Sequence, residues 1–112
     1  MTQNKTYSML GIAWKAGCIA GGEFAVERAV KSGHAYLVIA AETASDNTKK
    51  KFENMCAYHE VPFYLFGDKE ALGHAIGKEE RAVVAVLAEE PAKAVKKSLG
   101  VDEGGENADA GR

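Results

Sequence analysis

Three apolar runs, AYLVIAA (35–41), VPFYLF (61–66) and RAVVAVL (81–87), limit what this chain can fold into more than any other feature. The first is nearly continuous in Ala, Val, Leu and Ile, as expected of a central strand covered on both faces. The second reads as another strand and the third as a further buried one. Around them the apolar period becomes helical. Leu10, Ala13 and Trp14 share one face of a helix predicted over 7–16, with Gly17 where a C-terminal cap is wanted and a short extended piece over 18–20. Val26, Ala29 and Val30 form the stripe of a helix over 22–32 closed by Gly33. Ser45 is placed to cap a helix reaching His59, with Phe52, Met55 and Cys56 facing inward. A short helix over 69–76 ends at Gly77, and a last helix over 91–99 has Pro91 at its tolerated first position. Strands alternating with helices imply βαβ-type crossovers and a sheet with helices on both faces, a small α/β/α sandwich.

A chain of 112 residues, 46% hydrophobic, has the size and composition of one globular domain. Its longest apolar run, 35–41, is far below the ~20 residues a membrane helix needs, and MTQNKTYS lacks the apolar centre of a signal peptide. The expected location is cytoplasmic, without membrane association. The net charge of −2 is unevenly distributed: residues 101–112 hold four acids and one base, which leaves residues 1–100 at +1. With no aromatic residue, that acidic, glycine-rich tail is predicted to be disordered.

Motifs for catalysis are missing. GHAIGKE (73–79) has the wrong glycine spacing for a phosphate-binding loop and no Ser or Thr after Lys78. His34, His59 and His74 have no partner at catalytic or ligand spacing, and the adjacent acids Glu79–Glu80 and Glu89–Glu90 point in different directions. Cys18 and Cys56 form no CxxC, so both are expected to be reduced thiols. No cofactor or metal is expected. An enzyme acting on a small ligand ranks last among the readings.

The stretch GGEFAVERAVKSG (21–33) is more informative. On a helical wheel Val26, Ala29 and Val30 define the buried side, which puts Phe24, Arg28 and Lys31 on the outward face and Glu27 on its edge. An aromatic ring interleaved with two cations at a helix start suits nucleic acid: cations meet phosphates, the ring stacks on an unpaired base, and free N–H groups attract an anion. Gly21 and Gly22, lacking Cβ, leave room for a partner's backbone. The plainer alternative is that Phe24 packs on a neighbouring element, the cations are solvated, and the glycines serve a tight turn. The lysines 49–51 fan out around their helix and read as a solvated face.

Taken in order, LGIAWKAG, GGEFAVERAVKSGHAYLVIAAETASDNTKKKF and VPFYLFGDKEALGHAIGKEERAVVAVL resemble the L-seven-Ae/L-thirty-e family of ribosomal proteins, most closely its small bacterial YlxQ-like branch, over about residues 7–88. The resemblance implies an α/β fold of the ribosomal L-thirty-e-like kind, a three-layer α/β/α sandwich with a small mixed sheet. It also implies a non-catalytic protein that binds kink-turn-like or ribosomal RNA through the glycine-led helix and the loop before the last strand. On that basis residues 1–100 form a single RNA-binding domain. The candidate RNA-binding residues are Gly21, Gly22, Glu23, Phe24, Arg28, Lys31, Lys78, Arg81 and Ala82. Glu23 is expected to complement the helix dipole or accept a base-edge donor. Where the family commonly has a polar pair that bonds guanine edges, this chain has Phe24 and Ala25, which cannot make those bonds. The expected partners are structured RNA and ribosome-associated proteins, and a monomer is expected. A protein-interaction module anchored on Phe24, having lost kink-turn recognition, is the alternative.

Overall fold

The computed structural model describes the backbone of residues 2–100 and the side chains of residues 5–100. The acidic segment predicted to be disordered, 101–112, lies outside the described residues. The elements run α1 (Thr2–Lys15), β1 (Ile19–Gly21), α2 (Glu23–Lys31), β2 (Leu37–Ala40), α3 (Asp46–His59), β3 (Phe63–Leu65), α4 (Lys69–Ala75), β4 (Val83–Val86) and α5 (Glu89–Ser98). The sheet order is β1-β4-β2-β3.

The two central strands, β2 and β4, are buried along their whole length, as their unbroken apolar runs require. Alternation then divides the core. Leu37, Ile39, Val84 and Val86 pack with Leu10 of α1, Leu72 of α4 and Val95 of α5. Val38, Ala40, Val83 and Ala85 face the other way, against Val26 and Val30 of α2 and Phe52 and Cys56 of α3. The result is three layers: helices α1, α4 and α5, then the sheet, then α2 and α3. Each fully buried Val, Leu or Ile contributes about 1.5–3 kcal/mol, so the two central strands supply much of the driving force for the whole fold.

Strand direction departs from simple repetition of βαβ units. β2 and β3 pair in parallel across α3, while β4 pairs antiparallel with both β1 and β2. Strands β1, β2 and β3 therefore run one way, and β4 is inserted against them between β1 and β2. The crossovers expected from the sequence hold for the first three strands and fail for the last. Alternating helices and strands fix the layers, not the slot in the sheet that a late strand enters.

Smaller differences have local causes. The first helix begins at Thr2 rather than residue 7, five residues before its apolar stripe becomes regular. One reason is visible on its buried side, where the Thr6 and Ser98 hydroxyls lie 2.7 Å apart and tie α1 to α5, with Ser98 Oγ donating to the Val95 carbonyl at 2.6 Å. Trp14, expected inside, is 37% exposed. It lies over the turn after α4, where a methyl group at Gly77 would come within 2.6 Å of its ring. Pro91 sits at the third position of α5 rather than the first, a place where the backbone N–H also has no intrahelical acceptor. Ser45 caps α3 as expected, its hydroxyl accepting from the Thr48 N–H at 3.1 Å. Among the described residues no helix is long and apolar enough to cross a membrane.

Candidate nucleic-acid interface

The two glycines have different jobs. Gly22 is the N-cap of α2 with φ 96° and ψ 159°, backbone that residues with a Cβ occupy only under strain. Its N–H donates to the Val83 carbonyl at 2.9 Å and its carbonyl accepts from Val26 at 3.0 Å, so the helix start is fastened to the first residue of β4. Gly21, the last residue of β1, answers to the core: a methyl group there would lie 2.6 Å from Ile76 Cδ1. The room expected for a partner at Gly21 is thus filled by the protein itself. Over Gly22 lies Arg81, whose Cδ and Nε would stand 3.6 and 3.7 Å from a methyl group at that position.

Gly22, having no side chain, gives α2 no side-chain cap, so the first N–H groups of the helix have no acceptor from their N-cap residue. Glu23, the natural candidate for that role, is turned elsewhere. Its carboxylate accepts from Thr48 Oγ1 at 3.0 Å and lies 4.0 Å from Lys51 Nζ, both on α3. The helix start keeps Glu23 as the acid of its first turn, beside the positive end of the dipole.

The loop before β4 is held against the same place. Lys78 N–H donates to the Gly73 carbonyl at 2.8 Å and Arg81 N–H to the Lys69 carbonyl at 3.0 Å, while Arg81 Nη1 donates to the Glu80 carbonyl at 2.6 Å. Gly73 permits this because the Glu79 and Glu80 backbone occupies the space a Cβ would need. Sequence reasoning missed Gly73 as a site-forming residue; its signal was a glycine inside a short predicted helix.

Together these elements line one groove of about 470 Å³. Gly21, Gly22, Glu23, Phe24 and Ala25 come from one side, Glu80, Arg81 and Ala82 from the other. Eight of the nine predicted residues meet here or adjoin it through Phe24, namely Gly21, Gly22, Glu23, Phe24, Arg28, Lys31, Arg81 and Ala82. Lys78 lies in a neighbouring depression of about 860 Å³ with Asp68, Glu70 and Glu79, which meets the groove at Glu80 and Arg81. Lys31 is compromised differently. Its Nζ lies 2.8 Å from Glu27 Oε2, and Lys51 reaches Glu27 Oε1 at 3.2 Å. Hydrogen bonds from Lys31 and then Lys51 hold the Glu27 carboxyl below the usual carboxylate range. The lysine run is therefore more than a solvated face, since Lys51 bridges to the acids of α2.

Phe24 and Arg28 behave as the helical wheel predicts. The ring is 75% exposed, and the Arg28 guanidinium carbon stands 5.7 Å from its centroid, one helical turn away. Such an exposed cation–π contact is worth ~0.5–1 kcal/mol, enough to orient the pair without locking it. Among the described residues Arg28 makes no salt bridge, so its charge stays available. No group of three or more His, Cys, Asp and Glu suited to a metal ion occurs among the described residues.

The fold class is thus an α/β/α sandwich in which a glycine-opened helix and the loop before the last strand share one groove. The chain belongs to the family described as Ribosomal protein L7Ae/L30e/S12e/Gadd45, whose model matches residues 4–97. It is 38% identical over 86 residues to the RNA-binding protein YlxQ of Bacillus subtilis (strain 168), covering 77% of this chain and 86% of that protein. The RNA-binding protein YlxQ of Enterococcus faecium is 35% identical over 80 residues, 70% of this chain and 77% of that one. Among solved structures, a protein of unknown function from Bacillus halodurans C superposes with a TM-score of 0.82 at 34% identity, covering 86% of this chain and 97% of its own. A 15.5kD RNA binding protein of Giardia lamblia shares the fold, with a TM-score of 0.75 at 22% identity over 88% of this chain and 85% of that one.

Proposed function

We propose that this protein is a non-catalytic, cytoplasmic, ribosomal-type RNA-binding protein that engages structured RNA, of the kink-turn-like or ribosomal kind, through the groove between the start of α2 and the loop before β4. The observation that carries this reading is the meeting of an uncapped helix N-terminus with the Arg81 guanidinium over Gly22. A helix N-terminus and a guanidinium lining one groove suit a phosphate, and Arg28 extends the cationic surface by one helical turn. Lys78 serves as an outlying phosphate contact, weakened by its acidic neighbours. Lys31 contributes little while Glu27 holds it. The relatives named RNA-binding protein support the same partner class. The domain acts as a monomer, with RNA and ribosome-associated proteins as partners and no cofactor.

The test is RNA binding at several salt concentrations, using a helix–bulge–helix RNA and a fully paired duplex as control. Arg28→Ala and Arg81→Ala should each weaken binding and lower the salt slope by about one, with the thermal transition unchanged. Unaltered slopes in both variants would remove the groove from the RNA surface. The exposure of Phe24 also suits a protein anchor. That reading predicts a partner retained after nuclease treatment and lost in Phe24→Ala.

A further inference from the structure

Helix α3 lies beside α2 on one face of the sheet, and the two run parallel because each returns the chain between strands of common direction. The residues of α3 are sorted by side. Phe52 and Cys56 enter the core. At about 100° per residue, Asn47, Lys50, Asn54 and Tyr58 fall within roughly 80° of one another on the solvent side, and Lys51 continues that arc towards α2. The acids Asp46 and Glu53 lie together on the edge away from α2. Along the helix axis the arc from Asn47 to Tyr58 is about 16 Å long.

The side chains of this arc are unengaged. Among the described residues Asn47, Lys50 and Asn54 make no hydrogen bond or ion pair, and all three are exposed. Lys50 follows Asp46 by four positions and precedes Glu53 by three, spacings that suit an ion pair, yet it pairs with neither. Tyr58 is 83% exposed, with the neighbouring His59 ring edge-to-face at 5.0 Å. Two amides, an ammonium group and an aromatic ring make a set suited to RNA: amides bond base edges and 2′-hydroxyls, the cation meets phosphate, and the ring stacks on an unpaired base.

The seam between the two helices would repel a polyanion if its acids stood alone. They do not. Lys51 Nζ lies 4.0 Å from Glu23 and 3.2 Å from Glu27, Lys31 holds the other Glu27 oxygen at 2.8 Å, and Thr48 Oγ1 donates to Glu23 at 3.0 Å. Two acids are thereby matched by two lysines, so a phosphate chain passing from Arg28 to Lys50 crosses no net negative charge.

Resting on the RNA-binding reading above, we propose that the RNA surface continues beyond the groove: an unpaired strand leaving it crosses the α2–α3 seam and lies along the outer face of α3. Lys50 meets its phosphate, Asn47 and Asn54 meet base edges or 2′-hydroxyls, and Tyr58 stacks on an unpaired base. RNA fits this face better than a protein partner does, because the arc carries amides and cations and no branched aliphatic side chain to form the apolar centre of a protein interface.

The experiment uses the full chain and a helix–bulge–helix RNA, either blunt or carrying about six unpaired nucleotides at its 5′ or its 3′ end. The wild-type chain should bind one of the extended RNAs about tenfold more tightly than the blunt one. Tyr58→Ala and Asn54→Ala should each remove at least roughly threefold of that gain and leave blunt RNA unaffected, while Tyr58→Phe should keep it. Lys50→Ala should lower the salt slope for the extended RNA by about one. All three side chains are exposed, so the variants should keep the wild-type thermal transition, which separates a lost contact from unfolding. Equal affinity for blunt and extended RNAs, or extended-RNA binding unchanged in every variant, overturns the proposal; binding that still depends on Arg28 and Arg81 then leaves the broader reading standing. Absence of any salt-dependent RNA binding by the wild-type chain overturns both. Loss of a nuclease-resistant protein partner in Tyr58→Ala, with extended-RNA affinity unchanged, assigns the face to a protein contact instead.

Discussion

Gly21→Ala separates two explanations of the glycine pair. A methyl group at Gly21 meets Ile76 Cδ1 at 2.6 Å, about 1 Å inside ordinary carbon–carbon contact, and Ile76 is a fully buried residue between α4 and the sheet. Overpacking of this kind costs about 1–3 kcal/mol. Ile76→Val removes the clashing atom and alone costs about 0.5–1.5 kcal/mol for the lost methyl. In the double variant the new methyl occupies the space the old one left, so the penalties should not add. The coupling should favour the double variant by about 1 kcal/mol or more. Urea unfolding of the four proteins measures this: for a slope near 2 kcal/mol/M, a cost of about 2 kcal/mol moves the midpoint by about 1 M in Gly21→Ala, and most of that shift should be absent from the step Ile76→Val to the double variant. RNA affinity should follow the same pattern, impaired only as far as the groove is displaced. Strict additivity, or a Gly21→Ala protein of wild-type stability with lost RNA binding, would refute the packing account and return Gly21 to the role of clearing space for a partner.

Two further outcomes follow from the electrostatics. Glu27→Gln removes the acid that occupies Lys31 and Lys51, so it should strengthen RNA binding several-fold and steepen the salt dependence; unchanged affinity in titrations at low salt would mean that neither lysine lies near the RNA. Burial pushes the Cys56 thiol up to about 11, so the folded state keeps it protonated where the unfolded chain ionises. Its contribution to stability is therefore fully present below the unfolded thiol pKa and is lost as pH rises through that value towards about 11. In native protein a thiol reagent at pH 8 should label the half-buried Cys18 and reach Cys56 only on unfolding, and equal labelling rates would contradict the burial.

What the sequence made legible is what local periodicity determines. Unbroken apolar runs at 35–41 and 81–87 announce strands with two buried faces, Ser45 announces a cap, and Val26, Ala29 and Val30 announce which side of α2 leaves Phe24 outside. Contacts between distant segments were not legible. Nothing near Glu23 in sequence indicates that Thr48 and Lys51 take its carboxylate, and nothing near Gly21 indicates Ile76. The direction of β4 is of the same kind, because pairing with β1 and β2 is settled by which slot in the sheet is vacant rather than by the strand's own residues. Trp14 shows the limit of a helical wheel, since its ring completes the surface over a glycine turn instead of entering the core.

The shortest helix has an influence out of proportion to its length. α4 spans seven residues, too few to persist on its own hydrogen bonds, and it stays formed through the buried Leu72 and the Asp68 cap. Yet its Lys69 and Gly73 carbonyls hold down the segment that carries Arg81. Transient opening of this one element would release half of the groove, and a ligand that requires the groove intact would suppress that opening. Protection of α4 amides against hydrogen exchange would then report occupancy from a helix whose own backbone the ligand never touches.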